Sequence, residues 1–250
     1  VWAARADRNE VSAPWPHSLE PRARRERRPR SVVTAVARCA GRGYKPTMRP
    51  LLLPFAVFAA CAATAPMPMP ELPTVPDDVH SAAQPNRVRS THLDLRLTLD
   101  FDQHVVRGEV THHLARLDPE APFSVDTDGL VVREVVDQDG RWLPQWLDGE
   151  LPHIGRPLRI GLRSGTSKVT IRYQTAPDAE AMQWLGPEQT ASGKQPFLFT
   201  QGQAILTRSW IPLQDTPAVR TTWTAEIAAP PELVTVMSAT VRTTDGAITR

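Results

Sequence analysis

The chain has 250 residues, of which 41% are hydrophobic and 22% charged, an ordinary mix for a globular protein. Its formal net charge of +2 conceals an asymmetry: residues 1–47 hold ten Arg and one Lys against four acids, a net +7, which leaves the remainder at −5. The sequence pI near 8.8 therefore belongs to the first segment and gives no ground for a nucleic-acid surface on the folded part. With only Cys39 and Cys61 present, a disulfide framework or a cysteine-rich metal site is excluded.

In chain order, residues 1–47 form an Arg-rich leader, expected to be disordered and consistent with a start codon read too early. A nucleic-acid-binding arm or a transit peptide is the competing reading, but neither explains the segment that follows. Met48 and Arg49 open a secretion signal over 48–65, with an apolar stretch from Leu51 to Ala63 and small residues after it. About 12 apolar residues are too few to span a bilayer. The chain is thus expected to be exported, to the periplasm or the medium. Phe58-Ala59-Ala60-Cys61 loosely resembles a lipoprotein signal, which would make Cys61 a lipid anchor. Residues 66–85 carry Pro66, Pro68, Pro70, Pro73, Pro76 and Pro85 and read as an extended linker.

From residue 86 onward the pattern is β. Residues 92–101 alternate strictly, with Leu93, Leu95, Leu97, Leu99 and Phe101 on one face and His92, Asp94, Arg96, Thr98 and Asp100 on the other. A turn at Asp102-Gln103 and a second alternating run over 105–117 predict an opening hairpin. Further strands are predicted over 130–136, 158–162, 169–173, 196–200, 221–227 and 234–238, with turns at Asp139-Gly140, Arg163–Gly165 and Pro230-Pro231. No long 3.6-residue period occurs. The expectation is an all-β domain over 86–250, built of packed sheets.

Catalytic motifs are missing. The seven histidines form no H-E-x-x-H, and there is no G-x-S-x-G, P-loop or G-x-G-x-x-G. His112 and His113, adjacent on a strand, point to opposite faces and cannot chelate as a pair; His92 could approach His112 across the hairpin. The chemically informative stretch is PFLFTQGQAILTRSWIPLQDTPAVRTTWTAE over 196–226. There Gln201, Gly202, Gln203 and Ala204 place neutral amides around a glycine that allows close backbone approach to a ligand. Two plainer readings stand beside this: the glutamines satisfy backbone groups at a sheet edge, and Asp215-Thr216-Pro217 sets a turn.

The run FTQGQAILTRSWIPLQDTPAVRTTWTAEI, with VTVMSA after it and RVRSTHLDLRLTLDFD and RGEVTHHL before it, closely resembles the N-terminal domain of leukotriene A4 hydrolase and related zinc aminopeptidases. The resemblance spans residues 77–239. It implies a saddle-like, mostly antiparallel β-domain leaning on a separate zinc-binding catalytic domain, with peptides as substrates. By position it assigns Gln201, Gly202, Gln203 and Ala204 to the substrate pocket, and Gln203 to the substrate's free amino end. The family's G-x-M-E-N loop and H-E-x-x-H motif do not occur in this sequence, and Gly202 stands where some relatives have cysteine, which would widen the pocket. No catalytic residue, metal ligand or bound zinc is therefore expected in these 250 residues. The alternative is a stand-alone secreted β-module that binds a peptide, glycan or partner without catalysis.

Overall fold

A computed structural model describes residues 72–250; the leader, the signal with Cys61 and the first residues of the linker lie outside the described residues. Strands carry the fold. They are β1 (Val88–Asp100), β2 (Val105–Arg116), β3 (Phe123–Val125), β4 (Val131–Asp137), β5 (Gln145–Leu147) and β6 (Leu158–Ile160), then β7 (Lys168–Gln174), β8 (Met182–Leu185), β9 (Phe197–Thr200), β10 (Thr222–Ala228), β11 (Thr244–Asp245) and β12 (Ile248–Thr249). Among the described residues the only helical elements are two 3-10 turns, Pro187–Gln189 and Thr207–Ser209.

The long opening hairpin follows from its alternation. Leu93, Leu95, Leu97 and Leu99 are buried on one face of β1, and burying each such side chain contributes about 1.5–3 kcal/mol. β1 pairs antiparallel with β2, and the sheet grows to seven strands in the order β11-β12-β10-β1-β2-β7-β4. The pairing is antiparallel throughout except between β1 and β10. A three-stranded sheet, β3-β6-β5, and the two-stranded β8-β9 hairpin complete the domain. One apolar cluster joins them: Leu95, Val110, Val135 and Ile171 of the large sheet share it with Phe123, Leu158 and Ile160 of the second and Leu198 of the third. Gly108 on β2 is required by packing, since a Cβ there would overlap the Tyr173 ring opposite.

The predicted all-β class and its opening hairpin are present, with two corrections. Residues 234–238 form no strand: they follow Pro230-Pro231, find no ladder partner among the described residues, and leave Val234 and Val236 exposed. His92 lies opposite His113, not His112. The pair β1–β2 slips by one residue between Ser90 and His92, and this bulge exchanges the histidine that His92 meets.

Candidate functional site: the amide loop and its buried mount

The loop of interest leaves β9 at Thr200. Its first backbone N–H, that of Gln201, donates to the Ala181 carbonyl at 2.8 Å, and the Leu206 N–H closes the loop on the Gly202 carbonyl at 2.9 Å. The Thr207–Ser209 turn then returns the chain to the same anchor. Ser209 Oγ accepts the Ala181 N–H at 3.0 Å and donates to the Leu206 carbonyl at 2.8 Å. Both backbone groups of Ala181 thus hold the two feet of one loop. The Gln203-Ala204 peptide bond within it is cis.

Gln201, Gln203 and Ala204 are exposed, and among the described residues neither glutamine amide has a hydrogen-bond partner. The sheet-edge reading of these side chains therefore does not hold: it is the backbone of Gln201 that completes the β8-β9 end. Gly202 departs from expectation as well. A Cβ added there would overlap Thr207 Oγ1, so the glycine makes room for Thr207 and the space beside it is filled rather than widened.

Beneath the loop sits a buried polar cluster that no sequence motif announces. Arg208 is 2% exposed, with Nε 3.2 Å from Asp215 Oδ2 and Nη2 3.9 Å from Asp126 Oδ2. Its guanidinium also donates to the carbonyls of Ile154 (2.9 Å), His80 (2.9 Å) and Asp215 (3.0 Å). Asp126 in turn accepts from Ser81 Oγ at 2.6 Å, Ala82 N at 2.8 Å and Asp215 N at 3.0 Å. Burial pushes both carboxyls above the ordinary aspartate value, against the pull of these donors and of Arg208. One cation between two buried carboxylates, each bonded to further donors, is a rigid mount. The available sequence signal is an arginine and an aspartate seven residues apart, flanking the apolar stretch over residues 210–213.

Gln214 belongs to this mount. Its Oε1 accepts the Ser90 N–H at 3.0 Å, and its Nε2 donates to the carbonyls of Val88 (2.8 Å) and Ser124 (3.3 Å). Thr216 Oγ1 donates to Asp78 at 2.6 Å. Gln214-Asp215-Thr216 therefore does more than set a turn: it fastens β1, β3 and the segment before β1 to one point. His112, fully buried, joins Ser90 Oγ (2.9 Å) to the Pro212 carbonyl (3.1 Å), and burial lowers its pKa to about 3, which keeps it neutral. On the opposite face, Asp94 accepts from Thr224 and from His113 Nε2 at 2.7 Å, with His92 Nε2 at 3.3 Å.

Zinc would need at least three converging ligands. Among the described residues no group of three His, Cys, Asp or Glu is placed to hold a metal ion, so the residues present do not fit that group.

The β-domain that carries this loop has counterparts among known proteins. The family model for the peptidase M1 N-terminal domain matches residues 89–247, and the chain belongs to that family. It is 34% identical to leukotriene A-4 hydrolase of Xenopus laevis over 168 residues, 65% of this chain and 27% of that protein. Leucine aminopeptidase 2 of Aspergillus fumigatus is 35% identical over 165 residues, 62% of this chain and 26% of that one. Among solved structures, yeast leukotriene A4 hydrolase in complex with bestatin superposes with a TM-score of 0.63 at 31% identity, covering 74% of this chain and 28% of that one. The chain thus spans about a quarter of the length of the relatives it matches.

Proposed function

We propose that this chain is the substrate-binding β-domain of a zinc-dependent aminopeptidase that removes N-terminal residues from peptides. The observation that carries the reading is the amide loop: two exposed glutamine side chains without partners among the described residues, on a loop whose base is fixed by Ala181 and the Arg208 cluster. A carboxamide donates and accepts at once, so it can orient a peptide amine or carbonyl without adding charge. Holding such groups rigidly lowers the entropy lost on binding and positions the substrate for chemistry done elsewhere. The relatives support the class, since both hydrolase and aminopeptidase names occur among them. Zinc and its ligands are assigned to a separate catalytic domain, and export to the signal at 48–65.

The test is steady-state kinetics on the product of the complete reading frame, with Gln203→Ala and Gln201→Ala beside the unaltered enzyme. Losing one hydrogen bond of about 1–1.5 kcal/mol raises KM for a short peptide roughly tenfold, with metal content unchanged. Unaltered kcat and KM in both variants would remove the loop from the substrate site. The 250-residue chain alone is expected to show no chelator-sensitive hydrolysis.

A further inference from the structure

The segment ahead of β1 closes the buried mount from outside. Residues 78–82 belong to no strand, and Val79 among them is 81% exposed. Asp78 folds them locally: its Oδ1 accepts the His80 N–H at 2.9 Å and its carbonyl the Ser81 N–H at 3.2 Å. That turn aims Ser81 Oγ and the Ala82 N–H at Asp126, which accepts them at 2.6 and 2.8 Å. It also turns the His80 carbonyl to Arg208 Nη2, at 2.9 Å. Thr216 Oγ1 fastens the start of the turn through Asp78 Oδ2, at 2.6 Å. With no strand pairing among the described residues, polar bonds to the mount are what hold residues 78–82 in place.

The dependence runs both ways. Without this segment Asp126 keeps, among the described residues, only the Asp215 N–H of its three hydrogen-bond donors. Arg208 loses one of its three carbonyl acceptors. With the segment in place the two side chains are 0% and 2% exposed; lifting it admits water beside the ion pair and weakens the cluster. The same cluster carries the returning foot of the amide loop. Arg208 lies in the Thr207–Ser209 turn, where its N–H donates to Asp215 Oδ2 at 3.1 Å and its carbonyl accepts the Asp128 N–H at 3.0 Å. Thr207, whose hydroxyl lies against Gly202, also hydrogen-bonds to Asp215. A bonded path therefore runs from Asp78 and Ser81 through Asp126, Arg208 and Asp215 to the loop.

We propose that Asp78 and Ser81 are positioning residues of the amide loop: residues 78–82 form a clasp that holds Asp126 and Arg208 and so fixes where Gln201 and Gln203 present their amides. The clasp stands on its own geometry, while its part in peptide binding rests on the substrate-binding reading. Opening it leaves both glutamines chemically intact but frees the loop that carries them. A ligand then binds only the fraction of molecules with the loop in place, and its affinity falls by that fraction. Exposed loops open at the low end of the stability range, so a modest loss at the mount is enough to make the open form common.

Amide hydrogen exchange on the 250-residue chain tests the clasp, with Asp78→Ala and Ser81→Ala combined in one variant. Exchange at the Gln201 and Leu206 amides, which close the loop, is expected to accelerate roughly tenfold more than exchange at Leu95 and Val110 in the core. Ser81→Thr keeps the hydroxyl and Val79→Ala touches no mount residue, so both should exchange like the unaltered chain. Unchanged loop exchange in the double variant, or equal acceleration at loop and core, would overturn the clasp. In the kinetics described above the double variant should raise KM for a short peptide roughly threefold, with kcat changing less. An unaltered KM, in a protein whose Gln203→Ala variant does raise it, would overturn the role in binding. If Gln203→Ala leaves KM unaltered as well, the substrate-binding reading is what falls, and loop exchange alone decides the clasp.

Discussion

Gln201 and Gln214 are predicted to behave in opposite ways when replaced. Replacing Gln214 with Met keeps the volume but leaves the Ser90 N–H and the Val88 and Ser124 carbonyls facing a group that cannot bond. A buried polar group left unsatisfied costs about 1–3 kcal/mol, and water cannot reach a side chain 4% exposed. Carbonyls tolerate the loss better than an N–H, so the sum is set at about 2–4 kcal/mol. Gln201→Ala removes an exposed side chain with no partner among the described residues and should change stability by less than about 0.5 kcal/mol. Urea unfolding followed by tryptophan fluorescence measures both, with the slope m unchanged so that the midpoint reports stability. A Gln214→Met loss below about 0.5 kcal/mol, or a Gln201→Ala loss as large as that of Gln214, would refute the division into mount and presenting loop.

Three further outcomes follow from the same geometry. Arg208→Met leaves Asp126 and Asp215 buried without their cation and should cost about 3–5 kcal/mol at about pH 7. Both carboxyls are raised in the fold above the ordinary value of 3.8, so protonation relieves them as pH falls toward that value, and the loss should shrink over the same descent; a pH-independent loss in urea titrations would contradict this. His112 is depressed to about 3, so its contribution is intact above the unfolded value near 6.5 and is lost as pH falls from there toward 3; His112→Gln should flatten that part of the stability profile, which the same titrations read. Gly202→Ala should destabilise the loop through Thr207, and Thr207→Ala in the same chain should recover part of the loss in a double-mutant cycle.

The opening hairpin is legible in the sequence because strict alternation over a long run has one structural meaning, a strand with a wet and a dry face. β3 and β5 are not, because three residues carry no period: Phe123–Val125 is buried on both faces and Gln145–Leu147 is a largely exposed edge. Residues 234–238 show the converse failure, since a strand-like pattern cannot supply the partner that makes a strand. The histidine pairing turns on a single bulged residue, Thr91, which no pattern announces. At the site, the sequence locates the amide loop but points Gly202 at a ligand when its neighbour is Thr207. The buried mount is invisible for a related reason: Asp126 lies far from Arg208 in sequence, and only the folded chain brings them to 3.9 Å.

The proposed role in a zinc aminopeptidase is tested by reading the source gene past the Arg250 codon. The expected result is an uninterrupted frame that encodes G-x-M-E-N, then H-E-x-x-H and a downstream glutamate. A stop codon without those motifs would contradict the peptidase reading and leave the Gln201–Gln203 loop as a binding site without catalysis.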